Sequence, residues 1–369
     1  MRSLQRVTHI VPALFKAGTG VVGGAERYVL ELARHMAERV PTTLMTFGDQ
    51  SLRERQGNLK IVVLGDAYYV RGQRFNPVAL KMFGALKGTG SVVHCHQQHV
   101  LASTLMAIQG RLRGVPVFVT DLGGGGWDLS AWFSTDSLYR AHLHISEYSL
   151  HQHGHETRAN AHVIHGGVDL ARFSPGAPKR SDSLLFVGRL LPHKGIDVLI
   201  EALPERAKLK IIGGEADPAY HVRLRELAAG KEVEFLGVVE DAQLVEEYRA
   251  ASCVVLPSVY RDMYGNTTDV PELLGQTLLE AMATATPVIA TSVASLPEIV
   301  VDGQTGLIVP PNDSYALRTA IERICGSGEY AAAMGARGRE RVAANFTWDA
   351  VVRRCLELYG RYSGFTTPE

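Results

Sequence analysis

Short apolar runs alternate with amphipathic segments along the whole of this 369-residue chain. Strand, helix and strand in that repeating order close as a parallel sheet with crossover helices, so an α/β fold is expected. The first series opens with "VTHIV", followed by a helix over 24–39 whose Ala25, Tyr28, Val29, Leu32, Ala33 and Met36 share one face. "VVHC", "VPVFVT", "HLHIS" and "AHVIH" carry the strands to about residue 165, where "HGGVDLARFSPGAPKRSD" replaces periodicity with turn formers. The alternation restarts with "SLLFVG", "KLKIIG", "VEFLG", "CVVLP", "PVIAT" and "GLIVP". The pattern predicts two doubly wound parallel-sheet domains, Rossmann-like, over 1–170 and 178–345, facing across a cleft. A last helix in 346–369, with Thr347 as its N-cap, is expected to cross back to the first domain.

Charge narrows the partners. With 38 basic and 38 acidic residues the chain is formally neutral, which argues against binding a nucleic acid polymer. The 4 cysteines, Cys95, Cys253, Cys325 and Cys355, have no CxxC spacing, so reduced thiols are expected rather than disulfides or a zinc ribbon. "VTHIVPALF" is too short and poorly flanked for a signal peptide, and no apolar run reaches membrane-spanning length. A cytoplasmic location is the expectation. Arg71, Arg74, Lys81, Lys87, Arg111 and Arg113 read first as solvated charge; a peripheral contact with the inner face of a membrane is the alternative.

Four stretches could carry chemistry. "GTGVVGGAER" places Gly18, Gly20, Gly23 and Gly24 before the first helix, a glycine-rich turn that lets backbone amides and a helix dipole meet an anion. It contains a literal GxGxxG, but the approach from the strand is long for a dinucleotide turn, so a nicotinamide-dependent oxidoreductase is the runner-up reading. "FVGRLLPHKG" ends a strand at Gly188 and sets Arg189 and Lys194 at its carboxyl edge, where two cations suit a diphosphate as well as solvent.

"PELLGQTLLEAMA" holds Glu272 in a loop, Gly275 at a helix start with Gln276, Thr277 and Leu278 behind it, and Glu280 inside the helix. Eight helical residues span about 12 Å, so the two acids cannot address one small group. They fit the two ends of an extended ligand such as a sugar nucleotide; a glycosidase pair or two solvated glutamates are the competing readings. His94 and His96 share a strand face, with His99 beyond and a second histidine run over 142–155. No carboxylate or cysteine set completes a metal site, so cleft-lining or surface histidines are expected and no metal.

Taken in order, "GGAERYVLELARHM", "VIHGGVDLARF", "LLFVGRLLPHKGIDVLIEAL", "VEFLGVVEDAQLVEEYRAASCVVLPS" and "ELLGQTLLEAMATATPVIATSVASLPEIVVDGQTGLIVPPND" resemble the landmarks of retaining glycosyltransferases of family 4, which have the GT-B fold. The resemblance covers nearly the whole chain and is strongest over 183–313. It implies that Glu272 contacts the donor sugar and Glu280 the ribose, that Arg189 and Lys194 neutralise the donor diphosphate, and that Gly23 and Gly24 close on phosphate and acceptor. Glu298 falls near the motif strand in a supporting position, and His96 is a candidate contact to acceptor or sugar.

The implied activity is metal-independent, retaining transfer from a nucleoside diphosphate sugar, UDP before GDP, with no further cofactor. The acceptor hydroxyl would belong to a sugar, a glycolipid or a small molecule, in polysaccharide, glycolipid or glycoside assembly. A sugar-nucleotide-binding protein without turnover is the other alternative. The chain departs from the family in four places, one being His165-Gly166-Gly167-Val168-Asp169 where Pro-Asn-Gly-Val-Asp is usual. Asp121 and the glycines of 123–126 stand where a His-Gly is usual, the loop 259–271 is long enough to act as a lid, and Leu273-Leu274 replaces Gly-Phe.

Overall fold

A computed structural model describes residues 2–14, 24–123, 125–176 and 183–367. Gly18, Gly20, Gly23 and Gly124, on which part of the sequence reading rests, lie outside the described residues. The chain divides into two compact units, Met1–Gly167 with Trp348–Glu369, and Val168–Thr347.

The first unit is built on one eight-stranded sheet. Its order is Ala161–Val163, His142–His144, Val117–Thr120, Ser91–His96, Arg6–Leu14, Thr42–Phe47, Leu59–Leu64 and Leu52–Gln56. All neighbours run parallel except the last pair. That outer antiparallel strand is almost wholly exposed and turns into its partner through Gly57, at φ +59°. The sheet is double-faced. Ile10, Val93 and Cys95 point into an apolar cluster with Met45, Met82 and Met106, while alternation sends His9, His94 and His96 to the other side. Helix Gly24–Ala37 buries Tyr28, Val29, Leu32, Ala33 and Met36, as its periodicity predicts.

Helix Trp348–Ser363 packs in this same unit: Trp348 meets the Tyr28 ring edge-on at 5.2 Å, and Tyr359 covers Phe118 at 4.8 Å. Beyond it Phe365–Thr366 pairs in parallel with Arg2–Ser3.

The second unit has six parallel strands in the order Val233–Gly237, Lys208–Ile212, Ser183–Val187, Cys253–Leu256, Val288–Thr291 and Leu307–Val309. Counted along the chain this is 3-2-1-4-5-6, the doubly wound order, with its direction reversing between Ser183–Val187 and Cys253–Leu256. Such sheets bind ligands outside the carboxyl ends of the strands at that reversal. Among the described residues no helix is long and apolar enough to cross a membrane.

Candidate functional site

The strand Ser183–Val187 leaves the sheet through Gly188, whose carbonyl oxygen lies so near Gly213 that a Cβ there would sit 1.7 Å away. Gly213, at φ +155°, therefore admits no side chain. The chain then forms a turn, Pro192–Lys194, and passes through Gly195 at φ +64°. A Cβ at Gly195 would come within 2.1 Å of the Pro257 carbonyl oxygen, and Val259 donates its amide to the His193 carbonyl at 2.9 Å. Two glycine contacts thus seat the segment 188–195 between the ends of both neighbouring strands, Gly188 against Gly213 beyond Lys208–Ile212 and Gly195 against Pro257 beyond Cys253–Leu256.

Lys194 is the product of that approach. Its ammonium lies 2.5 Å from Glu272 Oε2 and donates to the Pro271 carbonyl at 3.3 Å. Ser258 Oγ also donates to Glu272 Oε2, at 3.3 Å, and Ser295 Oγ holds the Glu272 carbonyl oxygen. The lysine and glutamate side chains are only 13% and 14% exposed, so their attraction is screened less than that of a surface pair. Burial first, then the adjacent Lys194 charge, lowers the His193 imidazole to about 4, so it is neutral at pH 7. Arg189 sits at the same sheet edge, exposed, and its guanidinium makes no hydrogen bond or ion pair to the described residues. The cations are therefore not equivalent: one is locked to a carboxylate and the other stands open.

After Glu272 the chain turns at Gly275, φ +78°, where a Cβ would meet Leu296 Cδ2 at 2.7 Å. Helix Gln276–Ala283 starts there. The Leu278 amide goes to the Gly275 carbonyl oxygen at 2.9 Å and its side chain is fully buried, which corrects its expected place in a ligand site: as the third residue of the helix it is bonded back to the residue that starts it. The helix start presents Gln276 and Thr277. Glu280 is 4% exposed and accepts a 2.8 Å hydrogen bond from the Tyr248 hydroxyl on Oε2. The far ends of this helix and of Ile196–Ala202, the helix after Gly195, are capped by arginines: Arg339 on the Ala283 carbonyl, and Arg318 on the carbonyls of Glu201, Ala202 and Leu203. Guanidinium groups at C-termini satisfy orphan carbonyls and complement the helix dipole.

The long loop 259–271 is folded on itself. Arg261 pairs with Thr267, the Asp262 carboxylate accepts the amides of Tyr264 and Asn266, and the Tyr260 hydroxyl takes the Ala294 amide at 2.8 Å. Glu298 lies in the short helix Leu296–Ile299, with its carbonyl capped by Arg341.

In the first unit Gly24 opens its helix, exposed, and a Cβ added there would meet none of the described residues. His96 differs from its expectation as a ligand contact. It has no exposed surface, because the sheet face that carries it is covered, and its Nε2 lies 2.9 Å from His9 Nδ1. His9, His94 and His96 bring ligand atoms within 4.8 Å of one another. The His94 nitrogens are nonetheless bonded to Tyr359 Oη and Thr120 Oγ1, at 2.7 and 2.8 Å. Burial pushes His9 down to about 3 and His94 and His96 well below the usual histidine range, so all three are neutral. A second group, Asp136, His142 and His155, includes a carboxylate already engaged by Arg158 at 2.7 Å and Gln98 at 2.6 Å.

Asp121, at the end of Val117–Thr120, is buried and lies 3.4 Å from His153 Nε2. Burial opposes both charges, yet the hydrogen bond and attraction between the two hold Asp121 below the carboxylate range and His153 above the histidine range. Beside it, Gly126 donates to the His99 carbonyl oxygen, and Trp127 carries the Arg71 guanidinium 4.7 Å above its ring.

A family model described as "Glycosyl transferases group 1" matches residues 168–341, and one described as "Glycosyltransferase Family 4" matches residues 22–172. The chain is 31% identical to the D-inositol 3-phosphate glycosyltransferase of Corynebacterium efficiens, over 53% of this chain and 50% of that protein. It therefore spans about half the length of that relative. It is 28% identical to the alpha-maltose-1-phosphate synthase of Mycolicibacterium smegmatis, over 74% of this chain and 79% of that one. Among solved structures, sucrose-phosphate synthase from Thermosynechococcus elongatus superposes with a TM-score of 0.74 at 24% identity, over 97% of this chain and 98% of the other. Anabaena HepE in complex with UDP-glucose superposes with a TM-score of 0.71 at 17% identity, over 96% and 99%.

Proposed function

Because the chain belongs to the GT-B glycosyltransferases of family 4, we propose that it moves a sugar from a nucleoside diphosphate sugar to an acceptor hydroxyl, with retention of anomeric configuration. The observation that carries this reading is the meeting of Lys194, Glu272 and the Gly275 helix start at the strand-order reversal of the second unit. As the bond to the anomeric carbon breaks, charge grows on the departing diphosphate. Lys194, the open Arg189 and the helix start stabilise that charge, the term that usually dominates such catalysis. In the absence of donor, Glu272 neutralises Lys194; an arriving diphosphate takes the ammonium over and leaves the glutamate to meet sugar hydroxyls. Glu280, a turn further in, meets the ribose.

The acceptor binds the first unit in this reading, and its hydroxyl passes its proton to the leaving phosphate on the same face, so no carboxylate nucleophile is required. HepE in complex with UDP-glucose supplies the precedent of the fold with a sugar nucleotide and supports UDP as the expected base, with GDP the alternative. The loop 259–271 is proposed to close over the donor by moving about its anchors at Tyr260 and Ala294.

The test is calorimetric titration with UDP, GDP, ADP and NAD, in wild type and Glu280→Ala. Tight binding of one nucleoside diphosphate, weakened at least tenfold by the substitution, is the expected outcome (~1.4 kcal/mol). Binding of NAD alone would return the argument to the oxidoreductase reading. With two cations in the cradle a divalent ion is dispensable, so initial rates with EDTA added alongside the substrates should equal those without it. A rate lost to EDTA and restored by manganese contradicts metal independence.

A further inference from the structure

A carboxylate placed 4% exposed inside a helix needs a donor, and Glu280 has one in Tyr248, whose ring is fully buried. The tyrosine comes from a different element, helix Asp241–Ala250, which leads into the strand Cys253–Leu256 beside the strand-order reversal. It is held at both ends. Phe173 packs edge-on against the ring at 6.0 Å, and Thr286 Oγ1 donates to the Tyr248 carbonyl at 2.7 Å, with Thr284 Oγ1 3.0 Å from Thr286 Oγ1 behind it. A phenol fixed in this way cannot follow the carboxylate; the carboxylate must follow the phenol. The bond takes Oε2, and so determines where Oε1 points.

We propose that Tyr248 is a positioning residue for nucleotide selection: by fixing the plane of the Glu280 carboxylate it makes the second unit select a ribose over a deoxyribose. The inference rests on the nucleoside diphosphate reading above. A carboxylate free to rotate can meet a sugar lacking one hydroxyl by turning to the other, or by turning toward solvent. One that is pinned leaves the missing hydroxyl's place unsatisfied, and the loss is felt in full because the group is buried. Charge-assisted hydrogen bonds are shorter and stronger than neutral ones, so one phenol is enough to hold Oε2 in place.

The experiment compares UDP, GDP or ADP, whichever binds, with its 2′-deoxy and 3′-deoxy counterparts, by calorimetry on the full chain. Wild type should bind the ribonucleotide roughly ten- to a hundredfold more tightly than at least one deoxy form. In Tyr248→Phe that ratio should fall to within a few-fold of unity. A tyrosine that merely supported the fold would, on removal, weaken ribo and deoxy forms alike and leave the ratio untouched. Fluorotyrosine incorporated in place of Tyr248 keeps the ring and strengthens the donor; it should move the ratio as well, and it serves should Tyr248→Phe fold poorly. A ribo-to-deoxy ratio that both changes leave at its wild-type value overturns the role of Tyr248 and leaves the ribose contact standing. Equal binding of ribo and deoxy forms by wild type overturns the ribose contact itself, and the inference with it.

Discussion

Lys194→Ala should lower kcat by about 10²–10³-fold while leaving the circular dichroism spectrum unchanged, the size seen when one preorganised donor to a developing anion is removed. The magnitude follows from placement. The ammonium is only 13% exposed, is held by the turn that Gly195 permits, and is paired at 2.5 Å with a carboxylate of similar burial. Removing it leaves Glu272 with the Ser258 hydroxyl at 3.3 Å as its side-chain partner here, so some stability is lost too. Glu272→Ala should also be strongly impaired, because an ammonium without its partner is neither oriented nor shared with a sugar. If the pair works as one device, Lys194→Ala/Glu272→Ala falls no further than the worse single variant, since residues acting as a unit are non-additive. Independent losses that multiply would separate the two roles, and a normal rate in folded Lys194→Ala would remove the lysine from the mechanism.

The first unit should unfold in mild acid before the second does. His9, His94 and His96 are neutral in the folded state because burial pushes them down, His9 to about 3, with the charges of their neighbours adding to the effect on the other two. His142 and His144, lowered by burial to about 4 and about 3, behave alike. The unfolded chain takes up protons near the ordinary value of about 6.5, which the folded chain refuses. Stability from these groups is therefore complete above that value and drains as pH falls from 6.5 toward 3, at up to ~1.4 kcal/mol per pH unit for each histidine.

His153 runs the other way, its raised value giving stability that is present in acid and lost as pH rises through it, but it is one group against seven, since burial lowers His155 and His162 as well. Against a usual total of about 5–15 kcal/mol the sum is decisive. The three tryptophans, Trp127, Trp132 and Trp348, all lie in the first unit, so their fluorescence reads that unit alone. A urea midpoint that drops sharply between pH 7.5 and pH 5, and drops less in His9→Asn, is expected. A midpoint flat over that interval would show that the histidines already carry their protons when folded.

Much of the fold was legible because the second unit's central strands Ser183–Val187, Cys253–Leu256 and Val288–Thr291 are buried apolar runs, and because Tyr28, Leu32 and Met36 repeat at helical spacing. The exposed strand Leu52–Gln56 was not, since "LRERQ" has no alternation to read; the Gly57-Asn58 pair between it and "LKIVVL" was the available hairpin signal. In the site, glycine positions and paired cations marked Gly188, Lys194, Gly275 and Glu272 correctly as neighbours at one sheet edge. The partners that fix those groups came from far along the chain. Tyr248 lies 32 residues before Glu280 and His9 lies 87 before His96, and only sheet register and helix packing bring them together. His96 was misread for a related reason: alternation gave its face, but nothing local said that Tyr359 and its helix cover that face.

That covering helix also sets an order of events during synthesis. The first unit's sheet is complete once Val163 has left the ribosome, but Trp348 and Tyr359 have not yet been made. At ordinary elongation rates, roughly 5–20 residues per second, their arrival takes about 10–40 s more. Throughout that interval His94 lacks its tyrosine and Tyr28 its tryptophan, while the whole of Val168–Thr347 emerges with every element it needs. The half of the protein that is translated first is the half that finishes last, so its open sheet face is the surface a nascent-chain chaperone would meet.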